Sequence, residues 1–232
     1  MTTATPLLLI PGLMCTGDLF RDQIVALSHE RPVMVANHRR ADSVKEIAAQ
    51  ILRAAPPRFA LAGLSMGGYI AFEIMRNAPQ RVERLALMDT SAAPDTPEAS
   101  EARLTRIAAA REGRLLEVAE SMFAGLVAPA HAGDAALKRR HMQMAEETGA
   151  EAFIRQQTAI MSRTDSRPTL GAIAVRTLVL VGQEDGLTPP AAAKVIADGI
   201  DGARLVVVPD CGHLATLEQP RAATQAFAEW LA

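Results

Sequence analysis

The chain has 232 residues, 49% hydrophobic and 22% charged, which suits one folded domain, with or without an insertion, and excludes extended disorder. At that length it buries enough surface to fold without a disulfide or a structural metal. Its formal net charge of -2, from 24 Lys+Arg against 26 Asp+Glu, leaves no basic excess to hold nucleic acid or an anionic membrane.

The first element predicted is a strand over 7–10, Leu7-Leu8-Leu9-Ile10, ended by Pro11-Gly12. A continuous apolar run without alternation suits a strand buried on both faces. Apolar spacing predicts a helix over 18–27, a strand over 33–36, a helix over 43–52 and a strand over 59–62. A helix over 66–77 and a strand over 85–88 follow. From Ser91 to Leu170 there is no strand-like run, and the spacing predicts helices over 98–110, 115–126, 134–147 and 150–162. Beyond them come a strand over 178–181, a helix over 190–200, a strand over 205–208 and a helix over 220–231. Strands alternating with helices imply a mostly parallel six-stranded sheet covered on both faces. The division expected is a core, 1–90 and 171–232, interrupted by an all-helical insert over 91–170. Such an insert is expected over the carboxyl ends of the strands, where ligands bind in sheets of this kind.

Gly63-Leu64-Ser65-Met66-Gly67 lies between a predicted strand and a predicted helix, the setting a G-x-S-x-G nucleophile needs. A tight turn there lifts Ser65 above the sheet edge, and the helix that starts beside it aims free N–H groups at the same point. A serine hydroxyl needs an adjacent base. Of five histidines, His213 follows the last strand on the same edge as Ser65, and His38 is its one rival. His29 precedes a strand, and His131 and His141 fall in the insert. The acid expected to orient His213 is Asp185, after the fifth strand, with Glu184 and Asp89 as competitors. The order Ser65, Asp185, His213 is the order nucleophile, acid, base.

With these motifs, together with Leu9-Ile10-Pro11-Gly12-Leu13, Gly212-His213-Leu214 and Glu218-Gln219-Pro220, the chain resembles the α/β-hydrolase superfamily. Within it, the chain looks like a small bacterial carboxylesterase-like member with a helical cap. The resemblance covers about residues 6–89 and 175–231. It implies two backbone oxyanion donors, the N–H of Met66 and the N–H of Leu13, with Met14 as the alternative to Leu13. Related epoxide hydrolases and haloalkane dehalogenases place Asp where this chain has Ser65, so their chemistry is not expected.

The function expected is hydrolysis of a carboxylic ester, thioester or lactone through an acyl-Ser65 intermediate, on a small-molecule acyl substrate. A triad enzyme catalysing elimination or acyl transfer, and a small-molecule receptor, are the alternatives. No cofactor and no metal is implied. With six Phe, one Tyr and one Trp in all, and with Met122, Met142, Met144 and Met161 in the insert, an aliphatic, adaptable pocket is expected. Packing accounts for at least half of those methionines. Arg155 and Arg163 are read as surface residues, with carboxylate binding as the alternative. Met1 to Pro6 carries no positive charge and the apolar run after it is short, so neither a signal peptide nor a membrane span is expected. Cys15 and Cys211 suit two free thiols in a cytoplasmic protein.

Overall fold

The computed structural model describes residues 4–232. Met1–Thr3, part of the stretch behind the signal-peptide reading, lie outside the described residues. Six strands form one sheet: β1 (Leu7–Ile10), β2 (Val33–Val35), β3 (Phe59–Leu64), β4 (Val82–Met88), β5 (Arg176–Gly182) and β6 (Arg204–Val208). The spatial order is β2-β1-β3-β4-β5-β6 and every pairing is parallel. The sheet expected from the sequence as mostly parallel is therefore parallel throughout. Strand β1 is followed by β2 on one side and paired with β3 on the other, so the connections leaving β1 and β3 diverge. A crevice opens at such a switch point, beyond the carboxyl ends of the strands.

The helices are α1 (Arg21–Leu27), α2 (Val44–Ala54), α3 (Met66–Asn77), α4 (Pro97–Arg111), α5 (Leu115–Leu126), α6 (Ala135–Thr148), α7 (Ala150–Met161), α8 (Pro190–Gly199), α9 (Ala215–Glu218) and α10 (Pro220–Leu231). Alternate strand residues feed opposite layers, as the two-residue period of a strand requires. Leu8, Ile10, Leu61, Leu85 and Val179 pack under α2, α3 and α8. Leu7, Leu9, Ala60, Ala86 and Leu178 pack under α1 and α10. Both faces of the central strands are therefore dry, which is why their sequences run apolar without alternation.

Helices α4 to α7 occupy the single gap in the βα alternation, between β4 and β5. Two of the insert helices, α4 and α6, start at a capping side chain. Thr96 caps α4 by accepting from the Ala99 N–H, with Pro97 at the first helical position. Asp134 caps α6 by accepting from Ala136 and Leu137. A third apolar cluster joins Ala109, Leu115, Val118, Ala145 and Phe153 of the insert to Met14, in the loop after β1. That contact docks the insert on the switch point. No described helix is long and apolar enough to cross a membrane.

Candidate active site

Ser65 stands between β3 and α3 with φ 55° and ψ -115°. A non-glycine residue in this region is strained by about 1–3 kcal/mol and persists only where its surroundings over-determine it. They do so here. The Ser65 N–H donates to the Met88 carbonyl at 2.9 Å, and the Ser65 carbonyl accepts from Thr90 Oγ1 at 2.8 Å and from the Gly68 N–H at 2.9 Å. Glycine is needed at 63 and 67 because a Cβ at either position would collide with main-chain atoms, those of Gly67 and Ile10 respectively. Although Ser65 precedes the first residue of α3, its side chain caps nothing. Its hydroxyl points instead to His213.

His213 Nε2 lies 2.9 Å from Ser65 Oγ, and His213 Nδ1 lies 2.8 Å from Asp185 Oδ2. With Asp185 ionised, Nδ1–H donates to the carboxylate and Nε2 is left bare to accept from the serine. Asp185 is itself held firmly. Its Oδ1 accepts from the Leu187 and Thr188 N–H groups at 2.9 Å each, and its Oδ2 from Thr188 Oγ1 at 2.7 Å. Burial raises its carboxyl pKa, but His213 and the Thr188 donors outweigh burial, and the group ends below its ordinary value.

Neither competing acid reaches the imidazole. Glu184 is exposed. Asp89 is buried and accepts from the Gly182 N–H at 3.0 Å and the Ala215 N–H at 3.3 Å, tying β5 to α9. Burial, and then the Asp185 charge, push its pKa well above the usual carboxylate range. A carboxyl held towards its neutral form is a poor partner for an imidazolium. His38, the rival base, is also buried and turned away, with its Nε2–H donating to the Gly12 carbonyl at 2.9 Å. Burial lowers its pKa to about 4. His38 thus braces the loop after β1.

That loop faces Ser65. The Met14 N–H donates to Oε1 of Gln156, a buried residue of α7, at 3.1 Å. The N–H groups of Leu13 and Met66 have no protein acceptor among the described residues. Of the two alternatives in the loop, Met14 is occupied and Leu13 is free.

Several residues that sequence reasoning passed over hold this arrangement. Gln156 and Thr188 are two. The third is Glu218, a buried carboxylate in α9. Its Oε1 accepts from the Gly212 and Leu214 N–H groups at 3.0 and 3.1 Å, on either side of His213. Its Oε2 accepts from the Ala128 N–H at 2.7 Å and pairs with His131 Nδ1 at 3.0 Å. The His213 N–H donates to the Leu126 carbonyl at 3.0 Å. The base loop is therefore fastened to the end of α5. The motif Glu218-Gln219-Pro220 was visible in the sequence, but its role emerges only from these contacts.

Above Ser65 and His213 lies a cavity of about 510 Å³, whose walls come from the loops at the sheet edge and from α4, α5 and the chain after α7. Its lining departs from the aliphatic pocket expected. Of the four insert methionines only Met122 reaches it, while Met144 is buried in the core beneath. Asp95, Arg103, Arg106, Arg163 and Tyr69 line it as well. Arg163, read from sequence as a surface residue, has a side chain only 7% exposed: its Nη1 lies 2.5 Å from Asp95 Oδ1, and its guanidinium sits 4.2 Å from the centre of the Tyr69 ring. Arg155 is half-buried outside that cavity, donating to the Arg39 carbonyl at 2.9 Å. Cys15 and Cys211 are free and buried, and burial raises the Cys15 thiol to about 12.

The chain belongs to the alpha/beta hydrolase fold family, whose family model matches residues 5–220. An esterase from Thermogutta terrifontis, solved with malate bound, matches with a TM-score of 0.90 at 31% identity, covering 99% of this chain and 90% of that one. A hydrolase from Pseudomonas aeruginosa PA01 matches with a TM-score of 0.89 at 27% identity, covering 100% of this chain and 91% of that one. A pimeloyl-(acyl-carrier protein) methyl ester esterase from Aromatoleum aromaticum is 31% identical over 178 residues, 71% of this chain and 70% of its own.

Proposed function

We propose that this protein is a serine hydrolase that cleaves a carboxylic ester, thioester or lactone through an acyl-Ser65 intermediate. One observation carries the reading: the unbroken hydrogen-bonded line from Ser65 Oγ to His213 Nε2 at 2.9 Å and from His213 Nδ1 to Asp185 Oδ2 at 2.8 Å. The similarity to two esterases supports it.

In the first half-reaction His213 Nε2 takes the Ser65 proton as Oγ attacks the carbonyl carbon. Negative charge develops on the carbonyl oxygen, where the N–H groups of Leu13 and Met66 receive it. Asp185 stabilises the imidazolium. The intermediate collapses, His213 protonates the leaving alcohol, thiol or lactone oxygen, and the acyl group stays on Ser65. Water then attacks with His213 again as base, releasing the acid and restoring Ser65. Residues 91–170 act in this reading as a cap that walls the acyl site, upon a core of 1–90 and 171–232. The two unpaired thiols support a cytoplasmic location.

The test is turnover of the pure protein on esters, thioesters and lactones of graded acyl length, beside Ser65→Ala. Hydrolysis by the wild type that the variant lacks is expected. Binding without turnover in both proteins would favour the receptor alternative, and product transfer to an added alcohol in place of water would favour the transferase.

A further inference from the structure

The cavity over Ser65 has an uneven charge. Three guanidinium groups line it, those of Arg103, Arg106 and Arg163, against one carboxylate, that of Asp95. Asp95 serves two of the three: it lies 2.6 Å from Arg103 Nε and 2.5 Å from Arg163 Nη1. Arg103 also donates to Gln157 Oε1 at 2.8 Å. Arg106 has neither a hydrogen bond nor an ion pair among the described residues.

Its position explains why. Ala99, Arg103 and Arg106 lie four and three residues apart on α4, so they share the face that looks into the cavity. The helical neighbours of Arg106 are Ala102, Arg103, Ala109 and Ala110, and none is acidic. A like-charged pair at this spacing weakens a helix. Burial, and then the neighbouring Arg103, pull the Arg106 pKa down. Two other partly buried arginines are paired: Arg140 with Asp18, and Arg76 with Glu73. Arg106, half-buried in the wall of the site, is left for something that enters it.

We propose that the acyl substrate carries a second, anionic end, a carboxylate, and that Arg106 holds it while Ser65 addresses the ester carbonyl. The proposal deepens the hydrolase reading and rests on it. A guanidinium presents a planar fork that matches a carboxylate with two parallel hydrogen bonds, which an ammonium does not. Asp95 engages Arg103 and Arg163, which leaves Arg106 as the unpaired guanidinium of the three among the described residues. The substrate class is then a half-ester or half-thioester of a dicarboxylic acid, or a lactone bearing a carboxylate. Hydrolysis consumes one water and releases the dicarboxylate with the alcohol or thiol, or the opened hydroxy-diacid.

The experiment compares the monoethyl esters of succinic, glutaric, adipic and pimelic acids with ethyl esters of the matching unsubstituted acids, following ethanol release. Wild type is expected to prefer the half-ester at one or more lengths. In Arg106→Gln the ratio of half-ester to neutral-ester kcat/KM should fall about 10–100-fold, mostly through KM, the worth of a lost charged hydrogen bond. Arg106→Lys should recover part of it, keeping charge without the fork. An unchanged ratio in Arg106→Gln, or a wild type that favours the neutral ester at every length, would overturn the proposal. Calorimetry of the same half-esters on Ser65→Ala, with and without Arg106→Gln, reads the subsite without turnover. Weaker binding in the double variant supports it, and equal binding overturns it. If no ester is turned over while half-ester binding still depends on Arg106, the hydrolase reading fails and the anion subsite stands.

Discussion

Along the carboxyl edge of the sheet, each residue proposed for chemistry is held by main-chain groups: Ser65 by Met88 and Gly68, Asp185 by Leu187 and Thr188, the loop around His213 by Leu126. In the insert, the Asp95 side chain bridges the cavity-facing Arg103 and Arg163, and Arg163 also donates to the Ala93 and Ile160 carbonyls. Backbone strain separates the two regions. The non-glycine residues with positive φ among those described are Met14, Ser65, Asp89 and Asp210, each just past a strand on the active edge, and none lies in α4 to α7. A sheet edge fixed by hydrogen bonds to its neighbours sustains a strained conformation, whereas helices docked through side chains adapt in shape. In the proposed reading the edge sets what reaction occurs, and the insert sets what is admitted. Substitutions at the edge should act on kcat, and those in the insert on KM and preference.

The largest effects test the edge. Ser65→Ala and His213→Ala should each lower kcat by about 10⁵–10⁶, and the double variant should be hardly worse than either, because the members of such a unit do not contribute additively. Additive losses in steady-state kinetics would place His213 outside the unit. Next comes Asp185→Asn, expected to lower kcat by about 10⁴ by favouring the wrong imidazole tautomer, while Asp89→Asn stays mild. The reverse ranking would exchange their roles.

Gln156 sharpens the comparison, because it is an insert residue that reaches the edge. Gln156→Leu frees the Met14 N–H and loosens the loop that carries Leu13. A fall of about 10–100-fold in kcat with little change in KM is expected, the scale of a misplaced oxyanion donor. A pure KM effect would class Gln156 with the rest of the insert. Smaller again is the pair Met122→Ala and Met144→Ala. The first, in the cavity wall, should shift acyl-length preference severalfold, up to about tenfold. The second, in the core, should lower stability by about 2–5 kcal/mol with the preference profile intact.

The mildest effect is on stability against pH. Because the Asp185 carboxyl is held below its ordinary value, its contribution is full above about pH 4 and is lost as pH falls through the lower folded value. The Tm gap between wild type and Asp185→Asn should narrow on acidification below about pH 4. A gap that widens there would reverse the sign of the linkage.

The fold was legible because both faces of the sheet are dry, so each strand announced itself as an unbroken apolar run. Ser65, Asp185 and His213 were legible because each follows its own strand, and a parallel sheet brings all such ends to one edge. Asp185 was expected over Asp89 although both satisfy that rule; the Gly182 and Ala215 N–H groups engage Asp89, and Asp185 faces His213. Leu13 was expected over Met14 from the resemblance; what no sequence pattern shows is that the Met14 N–H is engaged by Gln156, 142 positions along the chain. The insert helices were visible from their spacing, but not which of their faces meets the cavity. Arg163 looked like surface because the guanidinium's partners, Asp95 and Tyr69, come from distant segments.

The central claim is that Ser65 is the nucleophile and passes through an acyl intermediate. The most direct measurement is intact mass after mixing the protein with an activated ester and quenching early, followed by peptide mapping. Wild type should carry one acyl group on the peptide holding Ser65, Ser65→Ala should carry none, and His213→Ala should keep its adduct longer because deacylation needs the same base. An adduct on another residue, or one that persists in Ser65→Ala, would contradict the account.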